Sequence, residues 1–156
     1  MSDNQAARSR ALAYLATHHV MTVATHGPLG LWAAAVFFAN DGFRLVFLSA
    51  GHTRHAQNIA ASPDVAATIQ RDYADWPGIQ GIQLEGRARL LAGGEREAAI
   101  ALYAVKYDFM SRPIAVIEQA LARVNWYSLS PDRLYFVDNS RGFGHRDEIT
   151  DLGLEE

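Results

Sequence analysis

Cysteine is missing from all 156 residues, which removes disulfide cross-links and thiolate chemistry from consideration. Long apolar runs are missing too. No stretch approaches the roughly 20 residues that a membrane-spanning helix needs, and the segment Met1–Arg10 is polar, without the apolar centre of a secretory signal. The expectation is a cytoplasmic protein with no membrane partner. An excess of positive charge is also absent: 14 Lys and Arg against 17 Asp and Glu give a net charge of -3. That argues against binding nucleic acid, which calls for a basic surface. Six histidines are present, but no carboxylate spacing completes a metal site. His18 and His19 are adjacent and cannot share one helix face, so no metal is expected. Gly142-Phe143-Gly144 lacks the strand–turn–helix context of a dinucleotide fingerprint. No nucleophile–base pair can be read either, which leaves the catalytic residues unknown.

What remains is an ordinary globular composition, 49% apolar and 20% charged. A chain of this length buries roughly 70% of its unfolded surface, enough for one core without staples. Asp3 or Asn4 is a suitable cap for a helix running to about Thr17. Val20–Thr25 reads as a strand, Gly27-Pro28-Leu29-Gly30 as a turn, and Leu31–Ala39 as a second strand rich in alanine. Alanine is a poor strand former. Its small size leaves room either for tight packing or for a flat ligand against the backbone. Asn40-Asp41-Gly42 is a hairpin turn into a third strand, Phe43–Leu48. A helix Thr53–Ala61 and a fourth strand Val65–Arg71 follow. The long fifth strand, Ile79–Leu91, alternates apolar and polar residues, with Gly86 marking a bulge or bend. Helices over Glu95–Tyr107 and Ile114–Arg123 come next. Two strands, Trp126–Leu129 and Leu134–Asp138, are joined by Ser130-Pro131-Asp132, and a polar tail runs from Asn139. Six or seven strands joined by hairpin-type turns predict a mainly β, α+β domain over 1–156. Its sheet is a small antiparallel barrel with helices at its ends.

The chemistry concentrates where the third strand turns into the second helix. Ser49 and Thr53 supply hydroxyls, Arg54 a planar charged fork and His55 a ring donor, all at a helix N-terminus with free N–H groups. Such a corner suits a phosphate monoester, although a plain strand–helix connection uses the same residue types. Trp32 and Trp126 can wall a pocket or fill a core, and Tyr103, Tyr107 and Phe109 read as core or dimer contact.

The run Val46-Phe47-Leu48-Ser49-Ala50-Gly51-His52-Thr53-Arg54-His55-Ala56 resembles the pyridoxamine 5'-phosphate oxidase-like, FMN-binding split-barrel proteins. So do Asn58-Ile59 with Ser62-Pro63-Asp64-Val65-Ala66, Gln83–Leu90 with its central Gly86, and the ending Tyr127-Ser128-Leu129-Ser130-Pro131-Asp132-Arg133-Leu134-Tyr135-Phe136. The likeness runs from Val20 to Phe136 in the family's order. The tail Asp138–Gly144 looks like a small branch rather than the vitamin-making oxidases. The resemblance implies a split β-barrel of the FMN-binding type and a homodimer with flavin at its interface. It also implies phosphate contacts from Ser49, Thr53, Arg54 and His55, with His55 where the family has lysine. Ala33, Ala34, Ala35, Val36 and Leu48 are implied beside the flavin ring, and Gln80 as the flavin-binding glutamine. Activity as a flavin-dependent oxidoreductase on a small molecule follows from the same likeness. A non-catalytic flavin carrier or sensor, or a split barrel holding haem or a deazaflavin, stays open. One departure bears on affinity and substrate: between Thr22 and Asp41 there is no basic residue, where the oxidases carry arginine and lysine near Ala33 and Phe38. Arg141 and Arg146 are the cations of the tail available to an anionic substrate.

Overall fold

The computed structural model describes residues 2–111 and 115–154. A capping box opens the first helix, α1 (Asp3–Thr17): the Ser2 hydroxyl accepts from the Gln5 N–H, and the Gln5 side chain accepts from the Ser2 N–H. The cap is therefore Ser2, one residue ahead of the expected Asp3 or Asn4. Strands β1 (Val20–Gly27) and β2 (Gly30–Phe37) form the first hairpin, with Val20 opposite Phe37 and Gly27 opposite Gly30.

The expected second strand does not continue to Ala39. It ends at Phe37, Phe38 is fully buried, and Ala39–Asp41 is a separate strand, β3, paired with β4 (Arg44–Ala50). The break is a change of partner. The Phe38 N–H still donates to the His19 carbonyl on the β1 side, and from Ala39 onward the chain pairs at the far edge of the sheet. The strand order β2-β1-β5-β6-β7-β4-β3 puts two consecutive strands at the two edges. The short step at Phe38 thus joins the edges and curls the sheet into a split barrel.

Helix α2 (Arg54–Ala61) leads to β5 (Asp64–Gln70), and β6 (Gln80–Leu90) follows a single 3-10 turn at Trp76–Gly78. Then come α3 (Gly93–Lys106), α4 (Ala115–Ala122) and β7 (Val124–Asp138). Pro113 and Ile114, at the head of the expected second helical piece, lie outside the described residues. The two expected closing strands are one strand of 15 residues. Proline is tolerated inside it because the register slips there: Gly86 faces Pro131, Glu85 faces Arg133, and Asp132 bulges out unpaired. Glycine is required on the facing strand, since a Cβ at position 86 would run into the Ser130 carbonyl oxygen and lie 2.8 Å from Pro131 Cα. The tail is not simply polar coil. Arg146–Glu148 forms β8 on the edge of β7, pinned by the buried Ile149.

Two apolar clusters result. The barrel interior holds Met21, Val23, Leu45, Phe47, Ile82 and Phe136 among others. Outside the barrel, α3 covers β4 and β7 through Tyr103, Tyr107, Val46, Leu91 and Trp126. Trp126 is therefore core. Among the described residues, no helix is long and apolar enough to cross a membrane.

Candidate functional site

Strand β4 delivers Ser49 at its last turn of pleat, buried at 6% exposure, and α2 begins five residues later. Thr53 is the N-cap: its hydroxyl accepts from the Ala56 N–H at 3.3 Å and donates to the Ala50 carbonyl at 2.9 Å. The Ser49 hydroxyl lies 2.9 Å from Thr53 Oγ1 and 2.7 Å from His55 Nε2, and it donates to the same Ala50 carbonyl at 3.2 Å. Burial holds His55 below the usual imidazole range, so the ring is neutral at pH 7. Ser49, Thr53 and His55 are assembled as the sequence implies. An incoming anion would have to turn the hydroxyl of Ser49 outward.

Arg54 does something the sequence did not suggest. Its Nη2 donates to the Leu29 carbonyl at 2.7 Å and to the Leu31 carbonyl at 3.4 Å, and its guanidinium lies 4.6 Å from the centre of the Trp32 ring. It ties the start of α2 to the turn between β1 and β2. Its Nε is buried and has no hydrogen-bond partner. Among the described residues, the N–H groups of Arg54 and His55 have none either. Two backbone donors are therefore free at one helix start, with the fixed positive charge of Arg54 beside them. Such a set accepts a phosphate monoester.

The orientation of the corner is fixed from below by Asn58. It is 3% exposed and donates to the Thr25 hydroxyl at 3.1 Å, locking α2 onto β1. Gly27 must be glycine for the same reason, because the Asn58 side chain fills the space a Cβ would need. Neither partner carries a charge or a familiar motif, so only the spatial pairing reveals them.

Strand β2 runs away from the corner as a sheet edge. Ala33 and Ala35 are exposed, while Ala34 and Val36 are half-buried against the barrel. Large apolar side chains beside them are uncovered: Leu31 is 83% exposed and Phe37 50%. Leu48 is half-buried on the outer face of β4. Gln80 is not brought to the corner. It sits at the start of β6 opposite Asp138, whereas Ser49 faces Asn125 beyond the other end of that strand. Asp138 and Asn125 lie at opposite ends of β7, so Gln80 and Ser49 stand at opposite ends of the sheet. The Gln80 carbonyl accepts from the Tyr14 hydroxyl at 3.0 Å. In the tail, Arg146 lies over the Tyr135 ring at 4.3 Å and donates to the Gln83 side chain, and Arg141 is exposed.

Comparison with known proteins agrees with this architecture. The family model for pyridoxamine 5'-phosphate oxidase matches residues 8–138. A UPF0306 protein of Enterobacter sp. (strain 638) is 35% identical over 135 residues, covering 85% of this chain and 89% of its own. Among solved structures, a heme binding protein from Mycobacterium smegmatis superposes with a TM-score of 0.73 at 23% identity, over 95% of this chain and 58% of that one. The heme storage protein HutZ of Vibrio cholerae gives 0.64 at 14% identity, over 82% and 92%. At those identities the two structures establish the fold alone. The match of the family model over most of the chain, together with the UPF0306 likeness, places this protein in the pyridoxamine 5'-phosphate oxidase family of split barrels.

Proposed function

We propose that the protein binds FMN and acts as a flavin-dependent oxidoreductase, with the phosphate of the cofactor at the start of α2. The observation that carries this reading is the set of unspent donors there. The Nε of Arg54 and the N–H groups of Arg54 and His55 lack partners, while the hydroxyls of Ser49 and Thr53 stand beside them. Arg54 supplies the charge, Ser49 a hydroxyl once turned outward, Thr53 the cap that fixes the helix start, and His55 orients Ser49. On the edge strand, Ala33 and Ala35 are exposed and Ala34 and Val36 half-buried, small enough for a flat ring to lie close to backbone N–H and C=O groups. Bound flavin would supply the redox chemistry, and the chain would supply binding, orientation and exclusion of water.

The same reading calls for a homodimer. Leu31, Phe37 and Val20, on one face of the edge hairpin, leave apolar surface uncovered, which favours contact with a second copy. Gln80 can reach a flavin at the corner only from a second copy. A haem-binding split barrel is the second reading, favoured by the likeness to the heme proteins of M. smegmatis and V. cholerae. The absorbance spectrum of purified protein separates the two, through flavin bands near the blue or a Soret band in the near ultraviolet. Reduction of bound flavin by NAD(P)H at a useful rate distinguishes an enzyme from a carrier.

A further inference from the structure

On the outer face of the barrel, α3 packs on β3, β4 and β7 through Ala99 and Tyr103 and leaves a groove along its flank. The groove has a volume of about 500 Å³, within the size range of small-molecule pockets. Val46 of β4, Leu91 just after β6, and Leu102 and Val105 of the helix line it. Ala98 and Ala101, exposed on that flank of α3, are too small to close it.

Two polar groups in these walls have no partner. Ser128 also lines the cavity, is 2% exposed, and its hydroxyl makes no hydrogen bond. Arg44 stands close by, and its buried Nε also donates to nothing. Buried polar atoms are satisfied in the great majority of cases, so two orphans beside one cavity are informative. The register explains how the charge is arranged. Val46, Ser128 and Arg89 lie side by side across three strands, and Arg44 and Arg87 flank them one residue pair further along. Arg87 faces Asp64 at 3.6 Å, and Arg89 is paired with Glu95. Among the described residues, Arg44 has no ion-pair partner.

The geometry points to a second ligand site: the cavity along the flank of α3 takes an aliphatic monocarboxylate, its chain along the Leu102–Val105 wall and its carboxylate accepting from Arg44 and Ser128. Arg44 and Arg89 are balanced in the lining by Asp41 and Glu95, with Glu95 held by Arg89 and Asp41 opposite Arg44 across β3 and β4. One carboxylate on the Arg44 guanidinium is therefore the most negative charge that the cavity takes, and Asp41 opposes a second. A dianion would face both that repulsion and a steep desolvation cost against apolar walls. The cavity shares no residue with the corner at 49–55, so this inference stands apart from the flavin reading.

Calorimetric titration of the full chain with decanoate, decan-1-ol and decyltrimethylammonium tests it. Decanoate should bind at least about tenfold more tightly than the alcohol, as expected for a charge-assisted contact, and the ammonium should not bind. Arg44→Gln should reduce decanoate to the affinity of the alcohol, and Arg87→Gln, on the same sheet face, should leave it unchanged. Ala101→Phe should fill the cavity and abolish binding of both decanoate and decanol. FMN titrations of the same samples should be unaltered, which keeps a failure here distinct from a failure of the flavin site. Three results would overturn the proposal: no decanoate binding below millimolar, equal affinity for decanoate and the ammonium on the unmodified chain, or no effect of Arg44→Gln. Release of single chains from a dimer by decanoate would also overturn it, assigning the face to contact between copies.

Discussion

Replacing Arg54 by alanine removes three things at once: the charge at the start of α2, two hydrogen bonds to the Leu29 and Leu31 carbonyls, and the guanidinium over Trp32. The first acts on ligand affinity. A hydrogen bond to a charged group is worth about 1.5–3 kcal/mol, so FMN should bind roughly tenfold to a hundredfold more weakly. Riboflavin, which lacks the phosphate, should lose little. The other two act on the fold. A half-exposed cation–π contact contributes about 0.5–1 kcal/mol, and the stronger of the two hydrogen bonds, at 2.7 Å, about 1 kcal/mol. A loss of about 1–2 kcal/mol lowers Tm by several degrees in a domain of this size. The resemblance implies only a phosphate contact for Arg54; its bonds at the β1–β2 turn add the stability effect. Flavin fluorescence titration with FMN and riboflavin, alongside thermal unfolding, separates the parts. Trp32→Ala should reproduce part of the Tm loss without the selective loss of FMN. Arg54→Lys should recover only part of the affinity, because an ammonium lacks the two-pronged geometry. Equal weakening of FMN and riboflavin by Arg54→Ala would show that the residue is structural and would refute the phosphate assignment.

Other outcomes follow from the same geometry. His55 is held below the usual imidazole range by burial, so the unfolded chain takes up a proton first as pH falls through about 6.5. Stability is therefore full above that pH and falls below it, and His55→Gln should flatten that segment of a denaturant-melt series run from pH 7.5 to 5. Gly86→Ala places a methyl group against the backbone of Ser130 and Pro131 and should cost more than about 3 kcal/mol in urea unfolding. Phe37→Glu should break a two-fold dimer whose interface exceeds about 1,000 Å²; a single-chain sedimentation mass for the unmodified protein across micromolar concentrations would defeat the dimer.

Much of the architecture was legible because local rules and the global fold agree. Thr53 as N-cap and the bulge at Gly86 follow from residue type and are found where expected, whereas the hairpin expected at Asn40-Asp41-Gly42 turns at Gly42-Phe43, with Asn40 and Asp41 still paired in β3. Misreadings arose where tertiary pairing overrides local signals. Nothing in Leu31–Ala39 announces that pairing changes hands at Phe38, because apolar residues continue through the break. Pro131 signals the end of a strand by residue type, yet the slip opposite Gly86 removes the need for an N–H there. Arg146–Glu148 has no apolar alternation at all and becomes a strand only because the edge of β7 is available. At the corner, residue types pointed to Ser49, Thr53, Arg54 and His55 as candidates. They carried no information on what each side chain reaches, such as the shared Ala50 carbonyl of Ser49 and Thr53 or the contact of Arg54 with Leu29. The separation of Gln80 from the corner by the length of β6 was equally invisible, since position along a strand depends on register rather than on composition.

The central claim is that the start of α2 is a phosphate site for a flavin. Equilibrium titration of the unmodified protein with FMN and with riboflavin, followed by quenching of flavin fluorescence, addresses it most directly. FMN should bind at least about tenfold more tightly, the affinity expected of one charge-assisted phosphate contact. Equal dissociation constants for the two flavins would contradict the account.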